Sequence, residues 1–173
     1  MKIIIRKATE SDATIIALLA QITFRQAFNR FWNDEQLLRN YFKKTFSVEK
    51  MRSSLSKSNN MFWIAYADDL PVGYAKLKLN CPYEKLKDPQ PAQLQKIYLL
   101  QDYIAQGIGE QLQDELFKEV QKQNIKTLWL AVWDENDKAI RFYERYGFKK
   151  ETTYHYDFEK MSIDYQVMTK LFA

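Results

Sequence analysis

The most informative stretch of the sequence is residues 97–112, which read IYLLQDYIAQGIGEQL. Apolar residues at its start favour a β-strand, and Gly107 and Gly109 stand where a helix is predicted to begin. Glycine lets the backbone approach a ligand closely, and the first N–H groups of a helix have no intrahelical acceptor. The helix dipole is also positive at this end. The stretch therefore predicts a strand–turn–helix unit whose main-chain amides can bind a pyrophosphate group.

The same stretch disfavours two familiar nucleotide-binding motifs. It does not match the phosphate-binding loop GxxxxGK[ST], and it does not match the dinucleotide-binding pattern GxGxxG. Taken alone, two glycines are also typical of a helix start that packs closely against a sheet. Only the downstream sequence favours a binding loop over such a packing contact.

Hydrophobic periodicity predicts the elements on either side of this stretch. Thr9 is the predicted N-cap of a long amphipathic helix, and Asp12 is placed to return the hydrogen bond. The sequence predicts the α/β (α+β) class, with a mixed, mostly antiparallel sheet of about seven strands and helices on both faces. No repeat or linker divides residues 1–173, so we expect a single domain. The predicted strands are 3–6, 61–67, 72–79, 92–100, 127–133, 149–157 and 163–171, and the predicted helices after the first are 34–45, 47–56, 107–122 and 136–146.

Composition excludes several classes of protein. Of the 173 residues, 46% are hydrophobic and 28% are charged, which is not the composition of a disordered chain. No apolar run is long enough to span a membrane and no secretory signal is evident, so we expect a cytoplasmic protein without a membrane partner. The net charge of +4 is spread along the chain, and we therefore expect no nucleic-acid partner. With Cys81 and His155 as the only cysteine and histidine, no disulfide or Cys/His zinc site is expected.

A second informative stretch covers residues 136–148, which read NDKAIRFYERYGF. Together the two stretches resemble the GNAT family of N-acetyltransferases. Its acetyl-CoA motif is (R/Q)-x-x-G-x-(G/A), matched here at Gly107 and Gly109, and its later motif is N-x-x-A-x-x-F-Y-x-x-x-G-F. The later motif is matched about 30 residues downstream at Asn136, Ala139, Phe142, Tyr143, Gly147 and Phe148.

Shorter pieces spread over most of the chain resemble one branch of this family, the PaiA-type spermine/spermidine acetyltransferases. They read FRQAF at 24–28, YFKK at 41–44, VGYAKL at 72–77, LQKIY at 94–98, LWLAVW at 128–133 and HYDF at 155–158. The resemblance implies a GNAT fold and direct acyl transfer from acetyl-CoA to a small-molecule amine. A polyamine is the first candidate for that amine.

The resemblance also implies roles for individual residues. Tyr143 is the expected general acid that protonates the departing CoA thiolate. Asn136 is expected to bind the pantetheine arm or the tight turn around it. Backbone groups of Ile97 and Leu99 are expected to bind the pantetheine, and the amides of residues 106–110 are expected to bind the pyrophosphate. The cofactor-binding set is therefore Ile97, Tyr98, Leu99, Ala105, Gln106, Gly107, Ile108, Gly109, Glu110, Asn136 and Tyr143.

Two positions depart from the family pattern. Many relatives carry a glutamate on the strand before the pyrophosphate loop, and the corresponding residue here is Gln93, whose amide cannot act as a general base. A water chain that ends at another carboxylate, such as Glu84, would have to replace it. Ile104 stands where relatives have Arg or Gln, and we expect the backbone amides to retain phosphate binding.

The sequence constrains the identity of the substrate less than it constrains the fold or the cofactor. A polyamine is attracted by carboxylates and by aromatic faces. Asp34 and Glu35 lie between the first helices, in the region that covers the acceptor site in related folds, and Trp133 could supply a ring. Further rings could come from Phe31, Trp32 and Tyr98, although each of these aromatic residues is also typical of core packing.

Three alternatives to a polyamine acetyltransferase stay open. The chain could acetylate a protein N-terminus or a lysine, it could act on an amino-acid-like metabolite, or it could be an acetyl-CoA-binding regulator without turnover. Exposed edge strands leave a homodimer open by analogy with similar folds. His155 is interpreted as a surface or hydrogen-bonded side chain, and not as a catalyst.

Overall fold

The computed structural model describes residues 1–29, 34–158 and 161–173. Five α-helices and seven β-strands make up this part of the chain. Short 3₁₀ turns at Glu10–Asp12 and Gln101–Tyr103 precede the first and fourth helices. In chain order the elements are β1 (Ile3–Lys7), α1 (Ala13–Phe28), α2 (Glu35–Thr45), α3 (Val48–Leu55), β2 (Asn60–Ala67), β3 (Leu70–Lys78), β4 (Ala92–Leu99), α4 (Ile108–Lys122), β5 (Thr127–Trp133), α5 (Asp137–Arg145), β6 (Lys149–Phe158) and β7 (Met161–Leu171).

The strands form one seven-stranded sheet in the order β1-β2-β3-β4-β5-β7-β6. The pairs β1–β2, β5–β7 and β6–β7 are antiparallel, whereas β4 and β5 are parallel. The β4–β5 register contains two residue pairs, Ala92–Leu128 and Gln93–Trp129. This mostly antiparallel sheet with helices confirms the predicted fold class.

The chain divides into two compact units. The first unit contains Met1–Leu77 and Lys96–Lys118, and the second contains Lys78–Gln95 and Glu119–Ala173. Strand β4 contributes to both units. A single domain over residues 1–173 therefore stays a prediction. No helix in the described residues is both long and apolar enough to cross a membrane.

The core of the first unit lies where α1, α2 and α3 pack on β2 and β3. Burial at helical spacing along α1 agrees with the apolar period of its sequence. Aromatic rings join the helices: the Phe24 ring lies 5.0 Å from Tyr41 and 5.5 Å from Phe46 between centroids. The fully or largely buried members of this core include Ala13, Ile16, Ala17, Leu19, Ala20, Leu38, Phe42, Phe46, Met51, Phe62, Ile64 and Tyr74.

Three helix boundaries are explained by local features, namely two glycines with positive φ and one side-chain cap. Helix α4 begins at Ile108 and not at Gly107, because Gly107 adopts the left-handed conformation with φ +77°. Helix α5 begins after Asn136, whose side chain accepts a hydrogen bond from the Ala139 amide at 3.1 Å. Its end is set by Gly147 at φ +84°, a conformation that glycine adopts without strain, in agreement with the helix predicted over 136–146.

In the second unit, α5 and the β6–β7 pair are held by aromatic contacts. The Tyr143 ring lies 5.6 Å from Phe148, and the Tyr154 ring stacks on Tyr165 with 5.1 Å between centroids. The β6–β7 pairing shifts register between Lys150 and Thr152, so one extra residue is inserted in β6.

The entry to α1 is fixed by the carboxylate of Asp12. The Thr9 amide donates to Asp12 Oδ2 at 2.8 Å, which confirms the hydrogen bond predicted from the sequence. Thr9, however, caps the 3₁₀ turn Glu10–Asp12, and the N-cap of α1 is Asp12, so the predicted helix start was wrong by one turn. The Arg6 guanidinium donates to both carboxylate oxygens, at 2.8 and 2.9 Å. Because Arg6 stabilises the charged form, the pKa of Asp12 falls from 3.8 to about 2.

We expect Asp12→Asn to lower the free energy of unfolding by about 1–2 kcal/mol at pH 7. This loss is smaller than the full shift of the Asp12 pKa would give, because Arg6 is partly exposed and solvent screens the ion pair. A lowered carboxyl pKa stabilises the fold above pH 4, and this contribution disappears as the pH falls towards 2. Urea unfolding of both proteins between pH 7 and pH 3 measures the difference, which should shrink on acidification. Glu10→Gln, in the same turn, is the matched control. A difference that is independent of pH would contradict the assignment.

Candidate functional site

The turn between β4 and α4 has an unusual backbone. Ala105 and Gly107 both have positive φ, at +62° and +77°, so the chain passes twice through the left-handed region. The Gln106 side chain donates to the Asp102 carbonyl at 2.7 Å and braces the turn. The first helical hydrogen bond runs from the Gln111 amide to the Gly107 carbonyl at 3.3 Å. Left-handed residues in a turn can direct neighbouring main-chain N–H groups to one side, where an anion can bind.

The two glycines of the motif have different surroundings. A β-carbon added at Gly107 would meet no atom within 4 Å, so the space beside this residue is open. A β-carbon added at Gly109 would lie 3.7 Å from Leu99 Cδ1, which is ordinary packing against β4. Close packing against the sheet therefore requires glycine at neither position, and the open space beside Gly107 agrees with the binding interpretation. The open space beside Gly107 leaves room for the pyrophosphate of acetyl-CoA.

Helix α4 is anchored firmly behind this turn. Ile108, Leu112 and Leu116 recur on one face and are fully buried. The amides of Ile108 and Gly109 precede the first intrahelical hydrogen bond and have no acceptor within the helix. The positive end of the α4 dipole is therefore held at a fixed place next to the open side of Gly107.

Main-chain groups of β4 alternate between its two edges. The Leu100 amide donates to the Val72 carbonyl of β3 at 2.8 Å, and the Tyr98 carbonyl lies against Gly73 of β3. Because successive residues of a strand direct their main-chain groups to opposite edges, Ile97 and Leu99 direct theirs away from β3. Of the three predicted pantetheine-binding residues on β4, these two have main-chain groups on the edge that could take a ligand.

Gly73 permits the close approach of β3 to β4. A β-carbon at this position would collide with Leu99 Cδ2 and with the Tyr98 carbonyl oxygen. The Leu99 side chain therefore contacts Gly73 with one methyl group and packs towards Gly109 with the other.

The second informative stretch, residues 136–148, contributes a buried tyrosine. Tyr143 is 8% exposed and lies in α5, where its ring has T-shaped contacts with Phe142 and Phe148. The Phe148 amide donates to the Tyr143 carbonyl at 3.1 Å, which fixes the end of the helix against the start of β6. Asn136 uses its side-chain oxygen to cap α5, a role that the sequence analysis did not assign.

Neutral groups surround the side chain of Gln93. Its Oε1 accepts from the Cys81 thiol at 3.4 Å and from Gln95 Nε2 at 3.3 Å. The Cys81 carbonyl in turn accepts from Trp129 Nε1 at 2.8 Å. Glu84 is exposed in the preceding loop. The contact between Cys81 and Gln93 had no signal in the sequence, because the Pro-rich loop between them has no periodicity.

The two predicted substrate carboxylates both have local partners. Asp34 caps α2 by accepting from the amides of Gln36 and Leu37 at 2.8 and 3.1 Å. Glu35 accepts two hydrogen bonds from Arg25, at 2.7 and 3.1 Å, and the pKa of Glu35 is lowered by this guanidinium. Their predicted substrate role stays a prediction.

Of the predicted rings, Trp133 ends β5 and is half-buried, while Tyr98 lies 6.1 Å from the Tyr74 ring. Phe31 and Trp32 lie outside the described residues. Trp133 therefore stays a predicted substrate contact without further geometric support.

His155 is exposed and hydrogen-bonded. Its Nδ1 lies 2.6 Å from Asp164 Oδ1 and its Nε2 lies 3.0 Å from Asp157 Oδ1. The pKa of His155 is raised by these two carboxylates, with Asp164 the larger cause. This agrees with the interpretation of His155 as a hydrogen-bonded surface residue. In the described residues, no group of three or more His, Cys, Asp or Glu side chains is arranged to hold a metal ion.

Comparison with known proteins supports the motif interpretation. The model of the acetyltransferase (GNAT) family matches residues 22–148. Spermidine N(1)-acetyltransferase from Thermoplasma acidophilum is 26% identical over 162 residues, which cover 91% of this chain and 95% of that protein. A shorter similarity, 43% identity over 51 residues, links 30% of the chain to 34% of the ribosomal protein bS18-alanine N-acetyltransferase of Escherichia coli K12.

Among solved structures, the fold is similar to that of the PaiA N-acetyltransferase from Thermoplasma acidophilum in complex with coenzyme A. The TM-score is 0.76 at 24% sequence identity, and the alignment covers 99% of this chain and 100% of that one. The matched family model spans well over half of the 173 residues and includes both motifs. The chain therefore belongs to the GNAT family of acetyltransferases.

Proposed function

We propose that this acetyltransferase transfers the acetyl group of acetyl-CoA to a primary amine of a small molecule, and that the amine is a polyamine such as spermidine or spermine. The observation that carries the proposal is the open left-handed turn at Gly107, which leads into the anchored start of α4. The similarity to a spermidine acetyltransferase over 91% of the chain supports the choice of amine.

The chain supplies two kinds of main-chain group for acetyl-CoA. The amides of Gly107, Ile108 and Gly109 hold the pyrophosphate at the positive end of α4. The main-chain groups of Ile97 and Leu99, on the edge of β4 away from β3, take the pantetheine arm. When bound, acetyl-CoA supplies a thioester carbonyl that an amine can attack.

Tyr143 acts as the general acid in this proposal. A thiol has an ordinary pKa near 8.5 and a phenol near 10, so a tyrosine hydroxyl can donate a proton to the thiolate as it leaves. Aromatic contacts with Phe142 and Phe148 hold the Tyr143 ring in one orientation. The hydroxyl is therefore positioned before the reaction, and little rotational entropy is lost when it donates its proton.

The attacking amine must lose a proton before it can react. An alkyl ammonium of ordinary pKa about 10.4 is neutral in roughly one molecule per thousand at pH 7. Gln93 cannot remove that proton, and its neighbours Cys81 and Gln95 are neutral partners. Water therefore carries the proton from the amine, with Glu84 as a candidate terminus, and desolvation of the ammonium lowers its pKa.

A second candidate substrate is the N-terminal amine of a protein. The observation that favours it is the 43% identity with a ribosomal-protein alanine acetyltransferase, although this covers only 51 residues. The net charge of +4 also disfavours a cationic substrate unless carboxylates lie close to it.

The substrate test is steady-state release of CoA thiol from acetyl-CoA with spermidine, spermine, lysine and a peptide with N-terminal alanine. We expect the polyamines to give the highest kcat/KM. Release of CoA thiol only with the alanine peptide would show that the substrate is a protein N-terminus and not a polyamine. Binding of acetyl-CoA by calorimetry without release for any amine would indicate a regulator, and no binding at millimolar acetyl-CoA would overturn the whole proposal.

The proposed role of Tyr143 as general acid is tested by Tyr143→Phe, which removes only the hydroxyl. We expect kcat to fall about 100-fold, the usual contribution of a positioned general acid, while the Kd for acetyl-CoA changes little. Tyr146→Phe, on the same helical end, is the control and should keep the kcat of the unmodified protein. An unchanged kcat in Tyr143→Phe would remove this residue from the mechanism.

The proton path is tested by Gln93→Glu. A carboxylate here would accept hydrogen bonds from Cys81 and Gln95 and could take the proton from the amine, so we expect a higher kcat/KM between pH 6 and pH 8. Gln95→Glu places the same charge two residues further along β4 and serves as the matched control. Equal kcat/KM values for Gln93→Glu and Gln95→Glu would show that any change comes from the added charge and not from its position at residue 93.

A further inference from the structure

Four polar side chains meet on one face of the β6–β7 pair, within the second unit. The register places His155 of β6 directly opposite Asp164 of β7, and Asp157 of β6 directly opposite Ser162 of β7. Residues two apart on a strand point to the same face of a sheet, and so do residues directly opposite each other. The backbone pairing therefore brings an imidazole, a hydroxyl and two carboxylates together.

The contacts within this group link the hydroxyl to the imidazole and the imidazole to a carboxylate. Ser162 Oγ lies 3.0 Å from His155 Nε2, and His155 Nδ1 lies 2.6 Å from Asp164 Oδ1. A hydroxyl within hydrogen-bond reach of a base, with that base oriented by a third group, is the arrangement that activates a serine nucleophile. Asp157 Oδ1 lies 3.0 Å from His155 Nε2 and 2.9 Å from Ser162 Oγ, so this carboxylate contacts both reacting groups.

The protonation of His155 decides where the Ser162 proton points. In neutral His155, the shorter contact to Asp164 favours the proton on Nδ1, because a carboxylate accepts hydrogen bonds and cannot donate. Nε2 is then an acceptor, and of its partners Asp157 and Ser162 only the hydroxyl can donate to it. Neutral His155 is therefore placed to take the proton of Ser162. In the protonated form, Nε2 donates to Asp157 and cannot act as a base.

The hydroxyl and the imidazole are both open to solvent. The His155 side chain is 51% exposed, and Ser162 is exposed as well. A small substrate therefore does not require a buried pocket to open. Because water surrounds this site, the oxyanion that forms on a substrate is stabilised less than in a preorganised, dry site, and we expect slow turnover.

From this arrangement we infer that Ser162 is a nucleophile that hydrolyses esters of short-chain carboxylic acids, with His155 as general base and Asp164 as the residue that positions the imidazole. Ser162 Oγ bonds to the acyl carbon while its proton passes to His155 Nε2. The bond from the acyl carbon to the leaving oxygen breaks, and His155 gives the proton to that oxygen. Water then attacks the acyl-serine, gives a proton to His155, and Ser162 leaves with it. The products are an alcohol, a carboxylic acid and the free serine.

This activity is separate from the acetyl transfer proposed above. It uses none of the residues assigned there to acetyl-CoA or to the general acid, so either proposal can fail without the other. The sequence analysis gave His155 no catalytic role because a lone histidine on a strand carries no signal for one. Only the register shows that Ser162 and Asp164 lie beside it.

Hydrolysis should depend on pH through His155. The titratable groups that contact its ring are Asp157 on its own strand and Asp164 on β7, and both carboxylates favour the charged imidazole. In the loop before β4, Lys85 donates to the Thr153 carbonyl at 3.3 Å, two residues from His155. As the pH rises through the pKa of His155, the ring loses its proton and Ser162 gains a base, so the rate should rise.

The test is release of p-nitrophenol from p-nitrophenyl acetate by the whole protein between pH 6 and pH 9, with mass spectrometry of acid-quenched samples. We expect an acetyl group on Ser162 and a rate about tenfold above that of Ser162→Ala. His155→Gln should lose both the acetyl-serine and the added rate. Thr153→Val, which removes a hydroxyl from the same face of β6, is the matched control and should change neither.

The positioning role of Asp164 is tested by Asp164→Asn, which keeps an acceptor for Nδ1 and removes the charge. We expect the pKa of His155, measured by NMR, to fall, and the midpoint of the pH–rate profile to fall with it. A carboxylate that only stabilises the hairpin would not tie these two midpoints together.

The inference is wrong if no acetyl-serine forms at residue 162, if Ser162→Ala hydrolyses the ester as fast as the unmodified protein, or if the rate does not follow the titration of His155. Circular dichroism checks the folding of each variant. Should Ser162→Ala not fold, the unmodified protein is treated with diisopropyl fluorophosphate: attachment to Ser162 that rises with pH supports the nucleophile, and no attachment contradicts it.

Discussion

Most of the candidate acetyl-CoA site depends on one constraint, which is that the chain must pass from β4 into α4 with its amides exposed and its carbonyls satisfied. Gly107 meets this constraint because it takes a φ of +77° and adds no side chain to the open space beside it. The buried face of α4, with Ile108 and Leu112, keeps the first amides of the helix in place. A preorganised set of donors does not have to be ordered at the moment of binding, and this lowers the entropic cost of holding a flexible ligand.

The sequence predicts much of this architecture because periodicity and capping are local. The apolar period of α1 and the hydrogen bond between Thr9 and Asp12 need no information from distant residues. The boundary at Gly107 was misplaced by one residue, because a left-handed residue before a helix looks the same in sequence as the first helical residue. Fold class also follows from the order of strands and helices.

Features that join distant parts of the chain were not predictable in the same way. The contact of Cys81 with Gln93 depends on the path of the loop between them, which a single sequence does not encode in a periodic pattern. Asn136 shows a different limit: its type and position suit a ligand contact and an N-cap equally well, and only coordinates show the cap. The acidic residues Asp34 and Glu35 likewise stabilise the start of α2.

The side chain of Leu99 has a consequence for how mutations spread through the first unit. One of its methyl groups occupies the space that a side chain at Gly73 would need, and the other packs towards Gly109 at the start of α4. Leu99 therefore lies between two glycines, and an added side chain would collide with it only at Gly73. A side chain added to β3 at Gly73 would displace Leu99 or the Tyr98 carbonyl, and the other methyl group of Leu99 faces the first turn of α4. A substitution at Gly73 would thus reach the strand that leads into the amides proposed to bind pyrophosphate, more than 30 residues later in the chain.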